Sequence, residues 1–174
     1  VSWTSSDGET VHGFYYAPKN PEFTAPEGSL PPLLVNVHGG PTSSARPGLS
    51  IAVQYWTSRG FAFLDVNYRG STGYGRKYRQ RLNGHWGVLD VQDCAEGAQY
   101  LVSQGLADPE RIAIRGRSSG GYTVLSALAD SDVFTAGTSL FGIGDLKLLE
   151  ATTHKFESHY DKFLIGSDDL SDPV

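Results

Sequence analysis

The chain has 174 residues, 39% of them hydrophobic, and its 14 basic and 19 acidic side chains give a net charge of -5. This length favours one domain with its own core, and the scattered charges form no basic stripe, which argues against a nucleic-acid partner. No apolar run approaches the roughly 20 residues that span a bilayer, so we also expect no membrane partner. The single cysteine, Cys94, cannot form an internal disulfide, which favours a cytoplasmic location.

Strand and helix signals alternate through the first third of the chain. Residues 11–17 are predicted to form a strand, and the proline-rich stretch 19–32 a surface loop. A near-continuous apolar run, Leu33–Val37, is typical of a strand covered on both faces and ends at the motif H-G-G-P. A helix is predicted over 49–58, with Gly60 closing its carboxyl end; its apolar face comprises Leu49, Ala52, Val53 and Trp56.

The same alternation continues to residue 141. A strand is predicted over 61–66, followed by the glycine-rich loop 68–75. The clearest helix follows, because six apolar residues share one helical face: Val91, Cys94, Ala95, Ala98, Leu101 and Val102. Beyond it we predict a strand over 111–115, a helix over 122–129 and a strand over 135–141. Strands alternating with helices predict an α/β fold with a mostly parallel sheet and helices on both faces.

A G-x-S-x-G pattern links the strand at 111–115 to the next helix, and it is formed by Gly116, Ser118 and Gly120. Such a pattern is typical of a nucleophile elbow, in which a strand turns sharply into a helix and exposes a serine hydroxyl. Ser118 is therefore the candidate nucleophile. Ser119 is the lesser candidate, because it lacks the flanking glycines.

Acyl transfer by a serine needs amide donors for the oxyanion that develops on the substrate carbonyl. The backbone N–H of Ser119 is one candidate donor, since it lies at the start of the following helix. The second candidate is Gly40 in the H-G-G-P loop, where glycine lets the backbone approach a substrate closely. A plain tight turn is the alternative interpretation of H-G-G-P.

At these motifs the sequence resembles the prolyl oligopeptidase family of serine peptidases, in particular its acylaminoacyl peptidase and dipeptidyl peptidase-like branches. The four matching segments are V-N-V-H-G-G-P at 35–41, V-N-Y-R-G-S-T-G-Y-G at 66–75, W-G-V-L-D-V-Q-D at 86–93 and G-R-S-S-G-G-Y at 116–122. The resemblance implies an α/β-hydrolase domain, usually preceded by a β-propeller, that acts on small peptides or amino-acyl amides without a cofactor. Ser119 and Arg117 depart from the residues common in the family beside the nucleophile. Neither change removes a backbone donor.

We expect residues 1–174 to form a single α/β-hydrolase catalytic domain that is truncated before the acid and the base of the triad. In this fold the acid and the histidine follow the nucleophile on later loops, and the chain leaves too little room for them after Ser118. We therefore interpret His154 and His159 as ordinary exposed histidines, and we expect the chain alone to be inactive. Phe156 and Tyr160 are candidates for the substrate pocket; ordinary packing on one helix face is the alternative.

Two other interpretations of the chain stay open. The same machinery cleaves esters, so a carboxylesterase is the nearest alternative to a peptidase, and a noncatalytic hydrolase-fold module is the more distant one. A metal site is not expected, because His12 and His85 lack partners at metal-ligand spacing. Arg69 and Asp93 are expected to hold the glycine-rich loop against the next helix rather than to take part in chemistry.

Overall fold

A computed structural model describes residues 1–146 and 164–166 of the chain. Six strands and four helices follow one another in this part. The strands are β1 (Ser2–Thr4), β2 (Thr10–Tyr16), β3 (Leu33–Val37), β4 (Ala62–Asn67), β5 (Ile112–Arg117) and β6 (Ala136–Leu140). The helices are α1 (Ile51–Thr57), α2 (Arg76–Gln80), α3 (Leu89–Ser103) and α4 (Ser119–Asp130).

The six strands form one sheet in the order β1-β2-β4-β3-β5-β6. Strands β4, β3, β5 and β6 run parallel, whereas β1 and β2 pair antiparallel at one side. The prediction of a mostly parallel α/β sheet is therefore confirmed. In the register of the central pair, Val37 at the end of β3 lies opposite Gly116 near the end of β5.

Apolar side chains of β3 and β4 alternate between the two faces of the sheet, because successive residues of a strand point to opposite sides. One face packs against α3 and α4 and forms the larger core, in which Val35, Leu64 and Cys94 are fully buried. The other face packs against α1 through Leu34 and Phe63. Helices thus cover both faces, as predicted.

The apolar face predicted for α1 is partly wrong. Leu49 is 91% exposed, because the helix begins only at Ile51, where Ser50 caps it by accepting a hydrogen bond from Val53 N–H. Ala52 lies within the helix but is also exposed. With seven residues the helix buries only a short stripe. Its carboxyl end is closed at Gly60, as predicted, by a bond from Gly60 N–H to Thr57 O and one from the next residue back to Trp56 O.

Three further differences concern short elements. The sequence signals did not include β1 or α2, which have three and five residues, too few to show a period. The strand expected over 111–115 extends to Arg117 as β5, up to the serine itself.

Within the described residues, no helix is both long and apolar enough to cross a membrane.

Candidate active site

Ser118 lies between β5 and α4 with its backbone in a strained conformation. Its φ is 52° and its ψ is -121°, a combination that residues with a Cβ rarely adopt. Such a conformation costs of order 1–3 kcal/mol and persists only where the surrounding structure enforces it. The residue is exposed. The sharp turn from strand to helix therefore presents Ser118 at the surface, as the elbow pattern predicts.

The glycines on either side of Ser118 allow the strand and the helix to approach each other. A Cβ on Gly120 would lie 2.5 Å from the carbonyl oxygen of Val37 and 2.8 Å from that of His38. A Cβ on Gly116 would collide with Gly120 itself. The glycines of the G-x-S-x-G pattern are therefore required by close backbone contacts: Gly120 approaches the end of β3, and Gly116 of β5 approaches Gly120 of α4.

Backbone hydrogen bonds hold the elbow in place. Ser118 N–H donates to Leu140 O of β6 at 3.1 Å, while Ser118 O accepts from Gly121 N–H and Tyr122 N–H. The first N–H to donate within the helix is that of Gly121. The N–H of Ser119 comes before it in the chain, so it is one of the amides that a helix leaves unpaired at its start. Ser119 is itself buried, at 2% exposure. The geometry therefore favours Ser118 over Ser119 as the nucleophile, and the Ser119 N–H has no partner within the helix.

The H-G-G-P loop leaves β3 directly beside the elbow. A Cβ on Gly39 would lie 2.9 Å from the carbonyl oxygen of Arg117 and 3.5 Å from Cβ of Ser118. Gly40 has a φ of 135°, which glycine adopts readily and other residues avoid. Within the described part of the chain, Gly40 N–H donates to no hydrogen-bond acceptor. The structure thus brings the Gly39–Gly40 segment against Ser118.

His38 precedes these glycines, and both of its ring nitrogens have partners. Nδ1 lies 2.9 Å from Gly39 O, and Nε2 lies 2.8 Å from Oγ of Ser71. The ring stacks on Tyr68 with its centroid 4.4 Å away, and the Tyr68 hydroxyl donates to His38 O and Pro41 O. Burial lowers the pKa of His38, although the hydrogen bond to Gly39 O opposes the shift. Burial therefore favours the neutral form of the ring.

The glycine-rich loop that carries Ser71 is anchored by a buried ion pair. Arg69 donates to both carboxylate oxygens of Asp93 through its guanidinium, and its backbone N–H donates to Asp93 at 2.7 Å. A second carboxylate, Asp7, also pairs with Arg69. Burial alone would lower the pKa of Arg69, but Asp93 and Asp7 outweigh it and the net shift is upward. The structural role expected for Arg69 and Asp93 agrees with this geometry, whereas Asp7 was not anticipated.

A second buried carboxylate, Asp90, lies beneath the elbow helix. It accepts hydrogen bonds from Thr123 Oγ1 at 2.5 Å and from Gly87 N–H at 2.7 Å, and Gly87 packs on the ring of Tyr122. Burial raises the pKa of Asp90 to about 6, against the opposing effect of those hydrogen bonds. Asp90 belongs to the segment W-G-V-L-D-V-Q-D that carries the family resemblance, but no sequence pattern assigns it a role.

The remaining candidate residues are not brought to the elbow by the described part of the chain. Within residues 1–146 and 164–166, no histidine or carboxylate hydrogen-bonds Ser118 Oγ. Phe156 and Tyr160, the two candidates for the substrate pocket, lie outside the described residues, as do His154 and His159. The candidate site as described thus consists of the strained Ser118, the Gly39–Gly40 segment beside it and the start of α4 at Ser119.

Comparison with known proteins points to one family. The model of the prolyl oligopeptidase family matches residues 47–172. Dipeptidyl aminopeptidase BIII of Pseudoxanthomonas mexicana is 37% identical over 122 residues, which are 70% of this chain and 18% of that protein. The acylamino-acid-releasing enzyme of Arabidopsis thaliana is also 37% identical, over 64% of this chain and 15% of its own length.

Solved structures agree in fold over nearly the whole chain. A puromycin-hydrolyzing peptidase of Mycobacterium tuberculosis is 52% identical with a TM-score of 0.94, covering 96% of this chain and 25% of that one. An acylaminoacyl peptidase solved with Z-Gly-Gly-Phe-chloromethyl ketone is 34% identical with a TM-score of 0.85, covering 99% of this chain and 27% of that one. The fold is therefore that of the α/β-hydrolase peptidases. The chain spans less than a fifth of the two curated relatives and about a quarter of the solved chains.

Proposed function

Because this chain belongs to the prolyl oligopeptidase family, we propose that it is the nucleophile-bearing part of a serine peptidase that hydrolyses peptide or amino-acyl amide bonds of small peptides. The observation that carries the proposal is the position of Ser118. It is exposed in a strained elbow, and Gly39 of the H-G-G-P loop packs against it. A structural turn needs no exposed serine in such a conformation, whereas an attacking hydroxyl does.

In the proposed reaction, Ser118 Oγ attacks the substrate carbonyl carbon and a base takes the hydroxyl proton. The carbonyl oxygen becomes an oxyanion, to which the N–H groups of Gly40 and Ser119 donate hydrogen bonds. Collapse of this intermediate expels the amine, which receives the proton from the base, and leaves an ester on Ser118. Water then attacks the ester carbonyl and gives its proton to the base. The Ser118 oxygen leaves and takes that proton back, and the second product is released as a carboxylic acid.

We place the base and its acid partner outside this chain. Two features support the placement: the described residues supply no partner for Ser118 Oγ, and the chain spans about a quarter of its solved relatives. Residues 1–174 would then be the first part of a longer catalytic domain. The candidate pocket at Phe156 and Tyr160 and the absence of a cofactor are parts of the same proposal.

The proposed substrate class is supported by the relatives. Their names describe release of dipeptides or acylamino acids and hydrolysis of puromycin, and one holds a peptidyl chloromethyl ketone. We also propose a preceding β-propeller domain and a cytoplasmic location; the small share of each relative that the chain covers is compatible with a further domain.

Labelling with a fluorophosphonate tests the nucleophile. The full-length protein should be labelled, and Ser118→Ala should abolish labelling, because the probe forms its bond with an activated serine oxygen. Ser119→Ala is the matched control: it removes the neighbouring hydroxyl, retains the backbone N–H and should still be labelled. A wild-type protein that is never labelled would refute the enzyme and favour a noncatalytic module.

Paired substrates then separate the peptidase from the carboxylesterase. Amino-acyl and dipeptidyl amides should be hydrolysed with kcat/KM comparable to that of the matching esters. Turnover of esters alone, with amides untouched, would contradict the peptidase and support the esterase.

A further inference from the structure

We propose that Arg115 and Arg117 bind a carboxylate of a protein segment outside this chain, and that this segment covers β5 and β6 on the side of α1. The inference rests on the proposed function in one respect, since it treats the chain as part of a longer catalytic domain. It concerns neither the nucleophile nor its oxyanion donors. The occupant is a piece of the same polypeptide, with an aspartate or glutamate facing Arg115.

The two faces of β5 and β6 differ in what packs against them. Ile114 belongs to the larger core, and Ser139 Oγ donates to Gly121 O of α4, so these side chains lie on the α4 side of the sheet. Successive side chains of a strand point to opposite faces. Arg115 and Arg117, which alternate with Ile114 along β5, therefore lie on the α1 side.

The α1 side of these two strands is largely uncovered in the described part of the chain. The core beneath α1 reaches β5 at Ala113, which is partly buried there. Farther along the sheet, Ala136 and Thr138 of β6 are exposed, and Thr138 lies directly opposite Arg115. Because parallel sheets are normally covered on both faces, we expect a further segment to pack on this side.

Arg115 carries a charge that no described residue balances. Its side chain is partly buried, and in the described part of the chain its guanidinium forms no hydrogen bond or ion pair. Asn36 lies opposite it on β3, but the Asn36 amide donates to Asp65 Oδ1 at 2.8 Å. Asp65 itself is two strands away, at about 9.6 Å. Burial, and then the neighbouring charge of Arg117, lower the pKa of Arg115.

The partner that Arg115 requires is an anion. Arg115 and Arg117 stand two residues apart on one face, about 6.6 Å along the strand, so their positive charges repel each other. A carbonyl or an amide would accept a hydrogen bond and leave that repulsion in place. A carboxylate removes it, and its two oxygens match the paired N–H groups of a guanidinium.

The position of Arg115 favours a protein segment over a substrate as the source of the carboxylate. Arg115 precedes Ser118 by three residues, about 10 Å along the strand, whereas ligands of such sheets bind beyond the carboxyl ends of the strands. The chain spans about a quarter of its solved relatives, so a longer protein has polypeptide to cover this face. The ion pair fixes the rest of the domain, where we place the base, against the strand that leads to Ser118.

Carbodiimide cross-linking of the full-length Arg115→Lys protein identifies the partner. The reagent joins a lysine amine to a carboxylate in contact with it, and mass spectrometry of the digest locates both ends. We expect a cross-link from position 115 to an aspartate or glutamate outside residues 1–174. Arg81→Lys is the matched control, because Arg81 forms an ion pair with Glu9 and the substituted lysine should be joined to that residue.

Two results of this experiment would overturn the proposal. One is a cross-link from position 115 to residues 147–174 of this chain or to a second molecule, since the occupant would then be a different one. The other is the absence of any cross-link at position 115 in a sample treated alongside an Arg81→Lys control that does react.

Charge reversal supplies a second test through the sign of its effect. With an anionic partner in place, Arg115→Glu brings two carboxylates together and should lower the melting temperature of the full-length protein by roughly 5 °C or more. Arg115→Met removes the charge, keeps much of the volume and should fall between the wild type and Arg115→Glu. Without an anionic partner, Arg115→Glu would relieve the repulsion from Arg117, and an unchanged or higher melting temperature would contradict the proposal.

Arg79→Glu is the control for charge reversal. Arg79 is exposed and also has a basic neighbour two residues away, Lys77. Its reversal should shift the melting temperature by about 1 °C or less, because exposed charges contribute little to stability. A shift as large as that of Arg115→Glu would show that the effect is not specific to the face of β5.

The ion pair and the proposed function fail in different ways, because neither cross-linking nor melting depends on catalysis. A full-length protein that forms the cross-link but never labels with fluorophosphonate has the ion pair without the enzyme activity. A wild type that labels at Ser118, while position 115 forms no cross-link and Arg115→Glu is as stable as the wild type, has the activity without the ion pair.

Discussion

Gly116 and Gly120 approach each other across the elbow so closely that a Cβ on Gly116 would lie 2.2 Å from the carbonyl oxygen of Gly120. The obstacle is backbone, which cannot swing aside as a flexible side chain can. The contact explains why a residue two before Ser118 and a residue two after it must both be small. This close contact between Gly116 and Gly120 keeps the turn tight, which holds Ser118 in its strained backbone conformation.

Gly116→Ala should therefore destabilise the protein and abolish serine labelling. Overpacking in a well-packed site costs about 1–3 kcal/mol, and relief here requires the elbow to move. Thermal unfolding and fluorophosphonate labelling of the full-length protein measure both effects. Gly48→Ala is the control, because Gly48 has a negative φ and open space around it. Similar behaviour of the two variants would contradict the packing argument.

Asp93→Ala should be strongly destabilising. It leaves the Arg69 guanidinium, 1% exposed, without its main counter-charge, and breaking a buried pair costs about 3–5 kcal/mol. Asp7→Ala removes the other carboxylate, which is 43% exposed, and should cost about 1 kcal/mol or less. Melting temperatures of the two variants test the ranking. The account fails if Asp7→Ala proves as damaging as Asp93→Ala.

Two buried hydroxyls one turn apart in α4 should respond oppositely to removal. Thr123 Oγ1 donates to Asp90, so Thr123→Val leaves a buried carboxylate oxygen unpaired and should cost about 1–3 kcal/mol. Ser119 Oγ is buried with no hydrogen-bond partner among the described residues, so Ser119→Ala should leave the melting temperature unchanged or raise it. A marked loss of stability in Ser119→Ala would show that its hydroxyl has a partner.

The stability of the protein should depend on pH through Asp90. Burial raises the pKa of this group in the folded state to about 6, above that of an exposed carboxyl, so the folded state holds the proton more tightly. The resulting stabilisation is fully present below the unfolded pKa near 4 and is lost as the pH rises through about 6, by up to about 3 kcal/mol. Asp90→Asn has no titratable group at this position, so its stability should not show this dependence on pH.

Melting temperatures of the wild type and Asp90→Asn across pH 4.5 to 8 measure that effect. The wild type should lose stability relative to the variant as the pH rises. Parallel curves for the two proteins would mean that Asp90 does not titrate in this range.

The parts of the site that could be predicted from sequence are those whose signal is local. Ser118 sits within a five-residue pattern, and the H-G-G-P loop directly follows a visibly buried strand, so both could be placed without knowing the fold. The preference for Ser118 over Ser119 rested on glycine spacing, and the structure supplies its physical reason in the exposure of one serine and the burial of the other.

The contacts that could not be predicted join residues far apart in the chain. Asp7 and Arg69 are 62 residues apart, and His38 and Ser71 are 33 apart. No periodicity or motif indicates such partners, because they meet only after the strands have taken their order in the sheet. The error at Leu49 is of a different kind: this apolar residue at helical spacing lies outside the helix, because Ser50 caps the helix and its first residue is Ile51.

The register of β3 and β5 has a consequence for how this scaffold can change. Val37 and Gly116 are paired residues of two neighbouring strands, and such strands lie about 4.8 Å apart. The loop that carries Gly40 and the elbow that carries Ser118 start from these paired positions. Strand pairing sets this separation, so it does not depend on the loops around the site. New segments around the site can therefore be exchanged, by evolution or by a designer, without changing the distance between the proposed nucleophile and the proposed oxyanion donor. A slip of a single residue between these two strands, by contrast, would displace the pair by about 3.3 Å.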